Sequence, residues 1–190
     1  MRTKDPRTVK KALAEMGDEH YAFCEFEAAI KCYDRALKLD PKDTTLYARK
    51  GRALLRLKRC EEAIECFGSV LKLDPRDMES LNNKGVALCT LSRYSEALGC
   101  FQKVLAHDPK NEFALGNEKI ARCCLLNSKG LGHMASEKPD EALVAFSQAL
   151  DLIPSDPSVR QNKESALKQV VQNAKEARLR LFDKKHRTAE

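Results

Sequence analysis

Three arginines and three asparagines are the residues of this chain best suited to holding another molecule. Arg49, Arg52 and Arg56 follow i, i+3, i+7, so on a helix they project from one face. Guanidinium groups hold carboxylates or phosphates through paired N–H donors. Asn82 and Asn83 are adjacent, and Asn117 follows Asn83 by 34 residues. A primary amide both donates and accepts, so it can clamp a peptide backbone without reading its side chains. The competing explanation for the arginines is a solvated helix face.

Signals for bond-making chemistry are weak. The chain has no GxSxG, HExxH or GxxxxGK[ST] string. Acid pairs such as Glu61-Glu62 stand where a helix begins, and a helix N-terminus favours carboxylates without any acid–base role. Eight cysteines are present, but no CxxC pair, and the four histidines are scattered, so zinc spacing fails. Cys32, Cys66 and Cys100 recur at one interval, which suits small residues on a repeated helix face better than disulfides. The expectation is therefore a non-enzyme with no metal and no cofactor.

The elements that position these residues are written in a 34-residue echo. Asp40-Pro41, Asp74-Pro75 and Asp108-Pro109 sit one period apart, as do Gly17, Gly51 and Gly85. Ala29, Ala63 and Ala97 keep the interval, and so do Tyr33, Phe67 and Phe101. Self-similarity at such a period means stacked supersecondary units. Each unit reads as two helices. In the third, Asp77 caps a helix over about 78–91, a second runs over about 95–106, and Pro109 follows its end. Asp43 and Asn111 are the equivalent caps. Gly85 and Ala97 lack bulk, so the helices approach closely, and Phe101 is expected to fill the gap against the next unit.

The sets Gly17/Ala29/Tyr33/Ala36/Pro41, Gly51/Ala63/Phe67/Val70/Pro75 and Gly85/Ala97/Phe101/Val104/Pro109 resemble the tetratricopeptide repeat (TPR) family. The resemblance implies an all-α, right-handed α-solenoid of about four helix-turn-helix repeats with a C-terminal capping helix. It implies a repeat array over 1–154, with repeats at about 10–43, 44–77, 78–111 and 112–154, and a capping helix with a basic tail over 155–190. In this family the first helices line a concave groove. The residues placed there are Arg49, Arg52 and Arg56, then Asn82 and Asn83, then Asn117, with Phe113 and Ile120 in the fourth unit and Lys11, Ala14 and Asp18 in the first.

The implied function is a scaffold or adaptor that binds a peptide or helix of a partner protein, an acidic one among the candidates. Some members clamp acidic chaperone tails with Lys/Asn, Asn and Lys/Arg. Here the matching places hold Ala14 and Asp18, Arg49, then Glu79 and Asn83. One repeat later they hold Ala48 and Arg52, Asn83, then Phe113 and Asn117, where only Asn83 fits. A co-chaperone-type module with non-standard contacts is thus the alternative.

The fourth unit departs from the period. Ala142, Phe146, Ala149 and Pro154 lie 45 residues after their counterparts, and Lys119 stands where earlier units have glycine. The eleven added residues, with Gly130 and Gly132, read as an inserted loop over about 127–138. Beyond Pro154, Ser155 or Asp156 can cap and Pro157 suits a first helical position. Leu167, Val170, Val171, Ala174, Leu181 and Phe182 are expected to pack on the fourth unit, and KKHRTAE to fray.

Charge is uneven. The net charge is +6, and nine Lys/Arg against four Asp/Glu from Ser158 onward supply +5 of it. Lys168, Lys175, Arg178, Arg180, Lys184 and Lys185 make the last helix basic and amphipathic, a type that can engage calmodulin-like proteins, membrane or nucleic acid. A near-neutral array without interleaved aromatics argues against nucleic acid. No apolar run reaches a membrane span, and no apolar stretch follows the charged N-terminus, so a cytoplasmic chain is expected. The packing reading is testable at one residue: Phe101→Ala should cost about 3–5 kcal/mol if the ring is fully buried, read from urea unfolding.

Overall fold

A computed structural model describes residues 5–187, with side chains through Arg180. Among these residues there are nine α-helices and no strand. They are α1 (Pro6–Ala22), α2 (Phe26–Leu39), α3 (Thr44–Arg56), α4 (Cys60–Leu73), α5 (Met78–Thr90), α6 (Tyr94–His107), α7 (Glu112–Ala135), α8 (Pro139–Leu152) and α9 (Pro157–Arg187). They form about four helix-turn-helix repeats and a final helix. The described residues divide after Glu118 into two compact units.

Each first helix begins on a capping side chain. Asp43 Oδ1 accepts from the Leu46 N–H at 3.1 Å, Asp77 from Ser80 at 2.7 Å, and Asn111 from Ala114 at 3.0 Å. Asp156 does the same for α9, accepting from Val159 at 3.0 Å, with Pro157 following it. The turn between paired helices is closed by a residue in the left-handed region: Cys24, Lys58, Ser92 and Glu137 have φ of 61°, 59°, 59° and 56°. None is glycine, although an L-residue is disfavoured there.

In the first unit, α1 packs on α2, α3 on α4 and α5 on α6, while α2 meets α3 and α4 meets α5. Leu13, Ala29, Tyr33, Leu54, Ala63 and Phe67 belong to one buried cluster, and Leu81, Val104 and Ala114 to another. The aromatic of each hairpin lies on the glycine of the same hairpin. A Cβ on Gly51 would come within 2.8 Å of the Phe67 ring, and one on Gly85 within 2.5 Å of Phe101. Gly17 faces Tyr33 in the same way. The Phe101 ring occupies the side-chain space that Gly85 leaves open.

The second unit corrects the loop expected over 127–138. α7 runs without a break to Ala135, and only 136–138 form a turn. Eleven residues make about three helical turns, so the insertion returns the following side chains to nearly the same face. Gly130, not Lys119, is the glycine of this repeat, and a Cβ there would collide with Phe146. Leu126 and Met134 pack on a cluster of Cys123, Ala142, Phe146, Ala149, Val159 and Ala166, so burial carries the helix through Gly130 and Gly132.

α9 packs on α8 through Val159 and Ala166. Asn162 donates to Asn127 Oδ1 of α7 at 2.9 Å. Of the apolar residues expected to pack, Val170 is half-buried, whereas Leu167 and Val171 remain 53% and 46% exposed and Ala174 is also exposed. Ala166 takes the inward position because a helix carries one contact stripe and Leu167 lies about 100° away from it. The side chains of Leu181, Phe182, Lys184 and Lys185 lie outside the described residues. The backbone helix continues through Arg187, where fraying was expected, and Thr188, Ala189 and Glu190 also lie outside.

The register of the fourth repeat is testable by a pair of variants. Gly130→Ala should destabilise by about 1–3 kcal/mol, because the new methyl group overpacks against Phe146. Gly132→Ala, with nothing within 4 Å of a new Cβ, should stabilise by about 0.5–1 kcal/mol. Urea unfolding midpoints separate the two signs.

Candidate functional site

The first helices of the first unit are tied together by side chains that cross between repeats. Arg49 on α3 reaches back to α1, donating to Asp18 Oδ2 at 2.6 Å. Asp18 accepts through its other oxygen from the Tyr33 hydroxyl at 2.9 Å. Burial, followed by this bond, pushes the Tyr33 phenol well above its ordinary pKa, so it remains a donor. Arg52 reaches forward to α5 and donates to Glu79 Oε1 at 2.9 Å. The face therefore runs from α1 through α3 to α5. A hollow of about 330 Å³ opens on it, lined by Lys11, Ala14, Glu15, Asp18, Thr45 and Arg49 among others.

Other ion pairs of the first unit include those of Lys10 and Lys50. Lys10 Nζ donates to Asp40 at 2.8 Å and Asp43 at 2.9 Å, which raises its pKa and lowers that of Asp40. Lys50 Nζ donates to Asp34 at 2.6 Å. Burial opposes the charge on Lys50, but the Asp34 contact prevails and its pKa is raised. The neighbouring Cys66 thiol is buried and pushed up to about 11, so it is inert as a nucleophile at neutral pH. Cys32, Cys60 and Cys123 are likewise buried.

The structure separates the three arginines more than their spacing suggests. Arg49 and Arg52 serve the α1–α3–α5 face. Arg56 instead lies over the Phe26 ring, 5.3 Å from its centroid, and Phe26 meets Tyr21 edge to face. Asn82 and Asn83 are half-buried on α5, and Oδ1 of Asn82 is buried without a hydrogen-bond partner. Phe113, 80% exposed, and half-buried Asn117 stand on the first turns of α7, still in the first unit. Ala114 is buried there as its counterpart Ser80 is on α5, so the 34-residue equivalence holds to this point. Ile120 is 51% exposed and belongs to the second unit.

Sequence reasoning named Asp18 and Glu79 but missed their pairing with the arginines. It also missed Val86, 37% exposed, the 34-residue counterpart of Asp18 and Arg52. Its signal was available in that spacing.

Capped helix pairs repeating at a fixed interval, each closed by an aromatic on a glycine, define a helical repeat protein of the protein–protein interaction class. Family models for the tetratricopeptide repeat match residues 48–112, and for the TPR repeat residues 17–58. The chain belongs to the TPR family.

Among solved structures it is similar to the TPR domain of Arabidopsis OM64, at 25% identity over 62% of this chain and 98% of that one, with a TM-score of 0.59. It is similar to the same degree, in all four measures, to the second TPR domain of human RPAP3, which was solved in complex with an HSP70 peptide, SGPTIEEVD. A thermophilic TPR protein of Thermus thermophilus, TTC0263, at 19% identity, 83% and 98% coverage and a TM-score of 0.55, shares the fold. No curated protein sequence matches the chain. No helix among the described residues is long and apolar enough to cross a membrane.

The Asp18 bridge is testable directly. Asp18→Ala leaves the Tyr33 hydroxyl without its acceptor and should cost about 1–3 kcal/mol, whereas Asp18→Asn keeps an acceptor and should cost less than about 1 kcal/mol, both read from urea unfolding.

Proposed function

We propose that the first unit is a non-catalytic module that binds an extended segment of a partner protein along its first-helix face. The observation that carries this reading is the pair of cross-repeat bridges, Asp18–Arg49 and Arg52–Glu79, which join α1, α3 and α5 into one surface. Further along that surface, Asn83 and Asn117 repeat at the family interval, as a backbone-clamping ladder requires. Arg49, Arg52, Asn82, Asn83, Asn117 and Phe113 are the residues assigned to it. Arg56, engaged with Phe26, borders the face, and Ile120 is left outside it. The likeness to the second TPR domain of human RPAP3, solved with an HSP70 peptide, supports a peptide as the class of ligand.

A photo-crosslinking residue placed at Thr45 or Val86 should capture the partner segment, while the same residue at Glu65 of α4 or Gln102 of α6 should not. Capture confined to Glu65 or Gln102 would move the site to the opposite side of the hairpins. Replacing Asn83 and Asn117 together by alanine should weaken binding by about tenfold or more, two hydrogen bonds being lost.

A further inference from the structure

The face assigned to ligand binding carries its own counter-charges. Lys11 stands 3.8 Å from Glu15, Arg49 2.6 Å from Asp18, and Arg52 2.9 Å from Glu79. These three cations and three carboxylates sum to zero. Beyond Glu79 the surface holds Asn83, Val86, Phe113 and Asn117, none of them charged. Phe113 is the 34-residue counterpart of Glu79, so an exposed ring replaces a carboxylate in the next repeat.

An acidic segment laid here would have to draw Arg49 and Arg52 away from Asp18 and Glu79. It would then leave those carboxylates facing its own, within the screening length of about 8 Å at physiological ionic strength. An uncharged segment leaves both bridges intact, exchanges hydrogen bonds with the amides, and gives the Phe113 ring an apolar contact.

Resting on the peptide-face reading, we infer that the occupant is an extended segment uncharged along its contact, with an apolar side chain against Phe113, and that Asp18 and Glu79 are specificity residues that turn acidic tails away.

Calorimetric titration with two peptides tests this: SGPTIEEVD, and SGPTIQQVN with an acetylated N-terminus and an amidated C-terminus. The double variant D18N/E79Q keeps an acceptor for Tyr33 and the length of both side chains. Against wild type it should gain about tenfold or more in affinity for the acidic peptide, a gain lost at about 1 M salt, and change less than twofold for the uncharged one. A change of less than twofold for the acidic peptide, or a wild-type preference for it over the uncharged peptide, overturns the inference. Adding N83A and N117A to the double variant separates the two readings. Acquired binding that survives them places the peptide off α5 and α7 and removes the peptide-face reading, while the charge result stands.

Discussion

An aromatic ring lying where a glycine has no side chain closes each of the four hairpins. Tyr33 on Gly17, Phe67 on Gly51, Phe101 on Gly85 and Phe146 on Gly130 are all at most 1% exposed. Burying such a ring is worth several times the thermal energy, and removing it leaves a cavity that the rigid helix pair cannot close. The contact also sets which face of each first helix turns toward its partner helix. Everything on the opposite face follows from it, because residues on a helix are fixed relative to one another by the 3.6-residue turn.

The cross-repeat bridges of the first unit begin beside this contact, where Asp18, next to Gly17, accepts from both the Tyr33 hydroxyl and Arg49. Arg49 and Arg52 lie three residues apart and reach in opposite directions along the chain, one to Asp18 and one to Glu79. Ion pairs this exposed contribute little to stability. Their effect is on what the surface presents: arginines already matched to carboxylates, followed by amides and a bare aromatic ring. Arg56, one turn further along α3, has left this arrangement for Phe26.

Much of the fold was legible in the chain. Caps at Asp43, Asp77 and Asn111, the helix pairs between them and the buried aromatics follow from a 34-residue period that many positions share. The fourth repeat is harder to read because two glycines inside the added segment look like loop punctuation. The correct signal is that Gly130 is displaced by 45 residues from Gly85, as Ala142 and Phe146 are from Ala97 and Phe101. A displacement shared by both helices means an insertion before the glycine, and eleven residues fit a helix as about three turns. The turns at Cys24, Lys58, Ser92 and Glu137 had no such signal, since none carries the glycine their backbone favours. The candidate site residues stood out by type and spacing, but their ion-pair partners did not. Asp18 and Arg49 meet only because neighbouring repeats bring two first helices side by side, a proximity that helical spacing along one chain does not encode.

The glycine–ring contact is best tested by the proton chemical shifts of the glycine α-hydrogens. Ring currents from the buried aromatics should move those of Gly17, Gly51, Gly85 and Gly130 strongly upfield, with contacts to the ring protons in a nuclear Overhauser spectrum. Gly132, with nothing within 4 Å of a Cβ placed on it, should stay near its ordinary helical value. An unshifted Gly130 without contact to Phe146 would contradict the register of the fourth repeat and the glycine–ring closure of all four hairpins.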